Sequence, residues 1–247
     1  MLNVLKYDFF KLKKSKNLRL FYVFTLVLMF AFNVITFFSK TKDYSVLLNF
    51  AFSDFAIIYC LGIFFCGVFV GDDFFSRYII YIYPDMNKVE YVLSKIIYIV
   101  AYCLIIYLLN ILIIICLVYI FGARCFLAEN DNYIAENFVK KSVICLILKF
   151  FGVVSACSVT MFLCLLIKNN YIVMGAEFGY AFLISGSLVG ELDKAAKINF
   201  EYYLPFSSKL ITPITLPDIF YPSFLALLFL TAIFTFFSCV VLAKKKI

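Results

Sequence analysis

Long apolar runs alternate with short charged stretches along the whole chain. Six of them, at about residues 18–38, 46–70, 92–121, 143–167, 170–190 and 222–243, read as spans, each near the roughly 20 residues a helix needs to cross about 30 Å of hydrocarbon. The third is long enough to tilt or protrude. Residues 1–17 (MLNVLKYDFFKLKKSKN) are too charged to span. Within them Leu2, Leu5, Phe9 and Leu12 recur at helical spacing, while Asn3, Lys6, Lys13 and Lys14 lie to one side. This pattern predicts an amphipathic helix lying on the membrane surface. The expected fold is therefore all-α: an interfacial helix over 1–17 and a six-span transmembrane domain over 18–247. The first run exceeds the apolar core of a cleavable leader and is followed by no small-residue cleavage site, so it is expected to stay in the mature protein.

Basic residues near the span ends set the orientation. With the N-terminus inside, Lys6, Lys11, Lys13, Lys14, Lys16, Arg19, Arg77, Lys88, Lys168 and Lys244 to Lys246 face the cytoplasm. Lys40, Lys42, Arg124, Lys140, Lys141, Lys194, Lys197 and Lys209 are spread over longer external loops. Both termini are thus predicted to be cytoplasmic, which requires an even number of spans. Two connections stand apart: a charged cytoplasmic one over 71–90, and an external one over about 190–221 with Pro205, Pro213 and Pro217, expected to lie at or dip into the outer membrane surface.

Composition agrees with this reading. The chain is 65% hydrophobic and only 15% charged, and its mean hydropathy is +1.03, far from the usage of soluble domains. Its net charge of +7 reads as a membrane-orientation signal and not as a nucleic-acid patch. There is no His, which removes the usual general base and the commonest transition-metal ligand. Most of the nine Cys fall inside apolar runs with no Cys-x-x-Cys, so they read as small packing groups. Abundant Phe, Ile, Tyr, Lys and Asn, with no Trp, fit an AT-rich bacterial genome.

Chemistry-bearing motifs are few. No Gly is followed by Lys anywhere, so the phosphate-cradling loop of nucleotide hydrolases is missing. Metalloprotease and serine-hydrolase signatures are missing too, and the chain is not expected to be an enzyme. Three ionisable residues fall inside predicted spans: Asp54, Lys149 and Glu177. Charges at depth are costly and face a bundle interior or a watery cavity, which makes each a candidate for a translocation pathway. The predicted orientation puts Asp54 and Lys149 in the outer half, where they can pair and lock two helices. Glu177 sits toward the inner half with no evident partner. Gly175 and Gly179 form a Gly-x-x-x-Gly, expected to pack against a neighbouring helix of the same chain.

The cytoplasmic stretch FVGDDFFSRYIIYIYPDMNKVEYVLSKII carries an acidic pair (Asp72, Asp73), Ser76 with Arg77, Pro84, Asn87 with Lys88, and Ser94 with Lys95 opening the third span. With the basic surface helix, the six spans and the Pro-containing external loop, this order of parts resembles the permease subunits of type-2 ABC transporters. The likeness is to the small permeases of bacitracin-resistance and lantibiotic-immunity systems, which export antimicrobial peptides. The Gly-Thr usual at the first pair is replaced here by Ser76 and its neighbours. The resemblance implies a coupling helix around Asp72 to Pro84, with Asp72, Asp73, Phe74, Phe75, Arg77, Tyr78 and Lys88 contacting a separate cytoplasmic ATPase. ATP and Mg would belong to that ATPase, and this chain would hold no cofactor. It further implies a second permease copy or a paralogue, a peptide substrate and a bacterial cytoplasmic membrane. The rival readings are a standalone secondary transporter or channel, and a non-transporting scaffold.

Overall fold

The apolar runs fold as helices in the computed structural model of the chain, which describes residues 2–39, 55–75, 87–121, 132–167, 169–185 and 220–244. Those residues form α1 (Leu2–Lys14), α2 (Lys16–Ser39), α3 (Phe55–Phe75), α4 (Lys88–Phe121), α5 (Asn132–Leu166), α6 (Asn170–Ser185) and α7 (Phe220–Lys244). Four stretches among them, Leu18–Ile35, Lys88–Ile113, Leu146–Leu166 and Tyr221–Lys244, are long and apolar enough to cross a bilayer, which marks the chain as a membrane protein.

Short polar residues start the helices where the pattern changes. Ser15 Oγ accepts the Leu18 amide at 3.4 Å, Asn87 Oδ1 accepts the Val89 amide at 3.2 Å, and Asn169 Oδ1 accepts the Tyr171 amide at 3.0 Å. Each satisfies a first-turn N–H that has no partner within its helix. Pro222 lies in the first turn of α7, where its missing N–H costs nothing. Hydroxyls along α7 are satisfied locally: Thr231, Thr235 and Ser238 donate to carbonyls one turn back, which lets them sit in an apolar medium.

Boundaries depart from expectation in three places. Residues 71–75, predicted to open the cytoplasmic connection, are the last turn of α3. The third predicted span, α4, starts at Lys88 instead of 92, because Asn87 caps it, and at 34 residues it is about 51 Å long, more than the bilayer requires. α5 starts at Asn132 instead of 143, so residues expected in an external loop are helical.

α5 packs along α7 and α3; α4 meets α1, α2, α3, α5 and α7. α3 and α5 approach closely at Gly62 of α3. A Cβ there would lie 2.8 Å from Val153 Cγ1 and 3.1 Å from Cys157 Sγ, so the absence of a side chain is what lets α3 and α5 meet. Phe65 stacks on Tyr102 of α4 with ring centroids 3.8 Å apart and on Phe69 at 5.2 Å, filling the space between α3 and α4. Buried amides and hydroxyls join α2 to α4: Asn33 Nδ2 donates to Asn110 Oδ1 at 2.8 Å, and Thr25 Oγ1 and Tyr102 Oη lie 3.1 Å apart. The outward faces are apolar, with Val23, Val27 and Phe30 of α2 and Leu225, Phe229 and Phe236 of α7 exposed, as a helix facing lipid requires.

Among the described residues no atom lies within 4 Å of a Cβ built at Gly175 or Gly179, so none of them packs against the Gly-x-x-x-Gly of α6.

Candidate functional site: a buried ion network and a cavity with one carboxyl group

α1 forms where predicted, but with a different face inward. Val4 and Asp8 are buried, Lys11 and Leu12 partly so, and Phe9 and Phe10 point outward. The face turned to the protein therefore carries two charges, and both meet opposite charges on α3 and α4. Lys95 of α4, 0% exposed, reaches Asp8 at 2.5 Å and Asp73 at 2.6 Å. Lys11 pairs with Asp73 at 2.6 Å and donates to the Phe69 carbonyl at 2.8 Å. Tyr91 Oη donates to Asp73 at 2.9 Å, and Ser94 Oγ donates to Asp8. Phe69 lies beneath both ammonium groups, 4.1 Å from Lys95 and 5.2 Å from Lys11.

Two carboxylates and two ammonium groups thus balance to zero net charge in a space that excludes water. Burial pushes the Asp73 carboxyl up, but Lys95 and Lys11 more than reverse this and hold it below its ordinary range. Burial pulls the Lys11 ammonium below its ordinary value, against the opposing pull of Asp73. The two partners shift the same way because two cations outweigh burial at Asp73, whereas at Lys11 burial, reinforced by Lys95, outweighs the opposing pull of Asp73 and Asp72. Such a network is costly to break from one side, since removing one member leaves a buried charge uncompensated.

This arrangement redistributes the residues expected to contact a partner. Asp73 is 1% exposed, and its carboxylate is engaged within the chain. Asp72, one residue earlier, is half-buried at the end of the same helix. Phe74 and Phe75 complete the last turn of α3. Lys88 Nζ donates to the Ala243 carbonyl at 2.9 Å, tying the start of α4 to the C-terminal end of α7, where a cation also suits the helix dipole. Arg77 and Tyr78 lie outside the described residues. Asp8, Lys11 and Tyr91 were missed by the sequence reading. A carboxylate on the buried side of a basic surface helix was the available signal for Asp8, and Ser94 with Lys95 was noted only as a motif.

The intramembrane candidates separate. Asp54, and with it the expected Asp54–Lys149 pair, lies outside the described residues, as does the external connection over 190–219. Lys149 is buried in α5, 1% exposed. Glu177 of α6 is 3% exposed and borders a cavity of about 320 Å³ between α3, α5, α6 and α7. Tyr59, Val159, Leu163, Tyr180 and Phe234 are among its walls. The hydrogen-bonding neighbour of Glu177 is Thr160, whose hydroxyl also donates to the Ala156 carbonyl at 3.0 Å. Among the described residues Glu177 takes part in no ion pair. The nine cysteines include Cys66, Cys103 and Cys157 buried in the core, where the Cys66 thiol donates to the Cys157 carbonyl at 3.2 Å. Among the described residues no group of three or more Cys, Asp or Glu converges as a metal site.

Comparison of the chain with protein-family models and with curated proteins finds no match to either.

Proposed function

We propose that the chain is the permease subunit of an ATP-driven exporter in a bacterial cytoplasmic membrane, with six spans and both termini in the cytoplasm. It moves an amphipathic or antimicrobial peptide outward. It pairs with a second copy or a paralogue, and a separate cytoplasmic ATPase binds ATP and Mg. The observation that supports this best is the ion network of Asp8, Lys11, Asp73 and Lys95, because it joins α1 to the two helices flanking residues 76–86. A segment pushed by an ATPase moves a bundle only if its two ends are seated in something rigid. Paired buried charges give such a seat, since they have one low-energy arrangement and exchange slowly with water.

The test is affinity capture of the tagged chain in nanodiscs, with partner identification and ATP hydrolysis as readouts. The variant is Asp72→Lys with Arg77→Glu, which leaves the buried Asp73 in place. The expected result is an ATPase that copurifies with the native chain and is lost from the variant at unchanged melting temperature. A chain that comes out with no nucleotide-binding partner ends this reading. The cavity beside Glu177 favours a second one, a standalone transporter, which predicts substrate movement by the purified chain with no ATPase present.

A further inference from the structure

We infer that the cavity beside Glu177 is a binding site for a hydrophobic monocation, an ammonium group carried on a small aryl or alkyl body. The inference goes beyond the exporter reading and needs no ATPase.

Size comes first. A cavity of about 320 Å³ lies at the small end of ligand sites and suits a body of one ring or a short branched chain. Its walls are aliphatic and aromatic, so the body of the ligand must be apolar. One polar group stands out among them. Glu177 is almost wholly buried, and among the described residues its hydrogen-bonding neighbour is the neutral Thr160 and no Lys or Arg lines the cavity. The buried carboxylates of Asp8 and Asp73 are matched by ammonium groups at 2.5–2.6 Å, and here the described lining supplies none.

A ligand that brings the ammonium completes the same pairing. A neutral ligand leaves the carboxyl group as it is, and an anion is repelled by it. A divalent ion takes at least six oxygen ligands, more than one carboxyl and two phenol groups provide. Tyr59, Tyr180 and Phe234 supply three aromatic rings to the lining, and aromatic rings attract a weakly hydrated quaternary ammonium. The cavity is not sealed: Ala176 is exposed, and Val159, Leu163, Tyr180, Leu230 and Phe234 are partly so.

The test is equilibrium binding of tritiated benzyltrimethylammonium to the full chain in nanodiscs, with its uncharged carbon isostere neopentylbenzene as competitor. Saturable binding is expected, with the neutral isostere displacing the cation at least tenfold less well than unlabelled cation does. Glu177→Gln is expected to weaken binding at least tenfold, and Glu177→Asp by less. Val159→Phe fills the cavity while leaving the carboxyl group untouched and is expected to abolish binding. It keeps the test decisive if the Glu177 variants fail to fold. Equal displacement by the neutral isostere, binding unchanged in a folded Glu177→Gln, full binding to Val159→Phe, or no saturable binding to the native chain each overturns the assignment.

Discussion

Two buried polar regions of this chain solve the same problem in opposite ways. Where α1 meets α3 and α4, each of the four charges faces an opposite charge inside the protein. Beside the cavity, Glu177 faces apolar walls and a threonine hydroxyl. The first region is closed on itself, so its free energy is committed to holding helices together. Among the described residues the second has no opposite charge, so its strongest interaction is left for something that arrives. Burial alone does not distinguish structure from function in a membrane chain, and the pairing state of the buried charge does.

Removing one charge from the closed region should break this contrast most sharply. Asp73→Ala is expected to cost roughly 3–5 kcal/mol, because Lys95 and Lys11 are left without their shared partner. Glu177→Gln should change stability little, as it severs no ion pair among the described residues. Unfolding in mixed micelles measures both, and equal losses would erase the distinction. Acid should reach part of the same loss by degrees. The Asp73 carboxyl is held below its ordinary range, so its contribution is complete above about pH 4 and is lost as pH falls through the lower folded value. Proteolytic release of α1, followed from about pH 6 to about pH 3, tests this, and Asp73→Asn should flatten the profile.

A smaller effect is expected where packing alone is at stake. Gly62→Ala places a Cβ 2.8 Å from Val153 Cγ1 and should cost roughly 1–3 kcal/mol, with Val153→Ala restoring part of it in the double variant. Smallest of all, Asn33→Val removes the buried bond to Asn110 and should cost about 0.6 kcal/mol and at most about 1.7 kcal/mol, because an amide in a membrane finds other partners when unfolded. A loss for Asn33→Val as large as that for Asp73→Ala would show that a neutral bond between α2 and α4 stabilises the bundle as much as the buried charges do.

Helix positions were legible in the chain because lipid imposes a simple rule: a run of apolar residues must satisfy its own backbone bonds, and a helix does so. The helix over Leu2–Lys14 was legible for a related reason, its apolar spacing. Its inward face was not. Periodicity counts hydrophobic residues, and the face that docks carries Asp8 and Lys11, whose fit depends on Asp73 and Lys95 lying 62 and 87 residues away. The same limit applies to Glu177. Its position within a span was visible as an isolated acid, but the cavity beside it is made by Tyr59, Val159, Tyr180 and Phe234 from four helices.

The sequence by itself determined that this is a membrane-embedded helical chain and singled out Glu177 as an isolated acid within a span, because hydropathy and helix length are local properties. Only the tertiary structure decided that Asp8, Lys11, Asp73 and Lys95 neutralise one another and that Glu177 borders an apolar cavity, because charge pairing is set by distances of a few ångström between segments far apart in sequence.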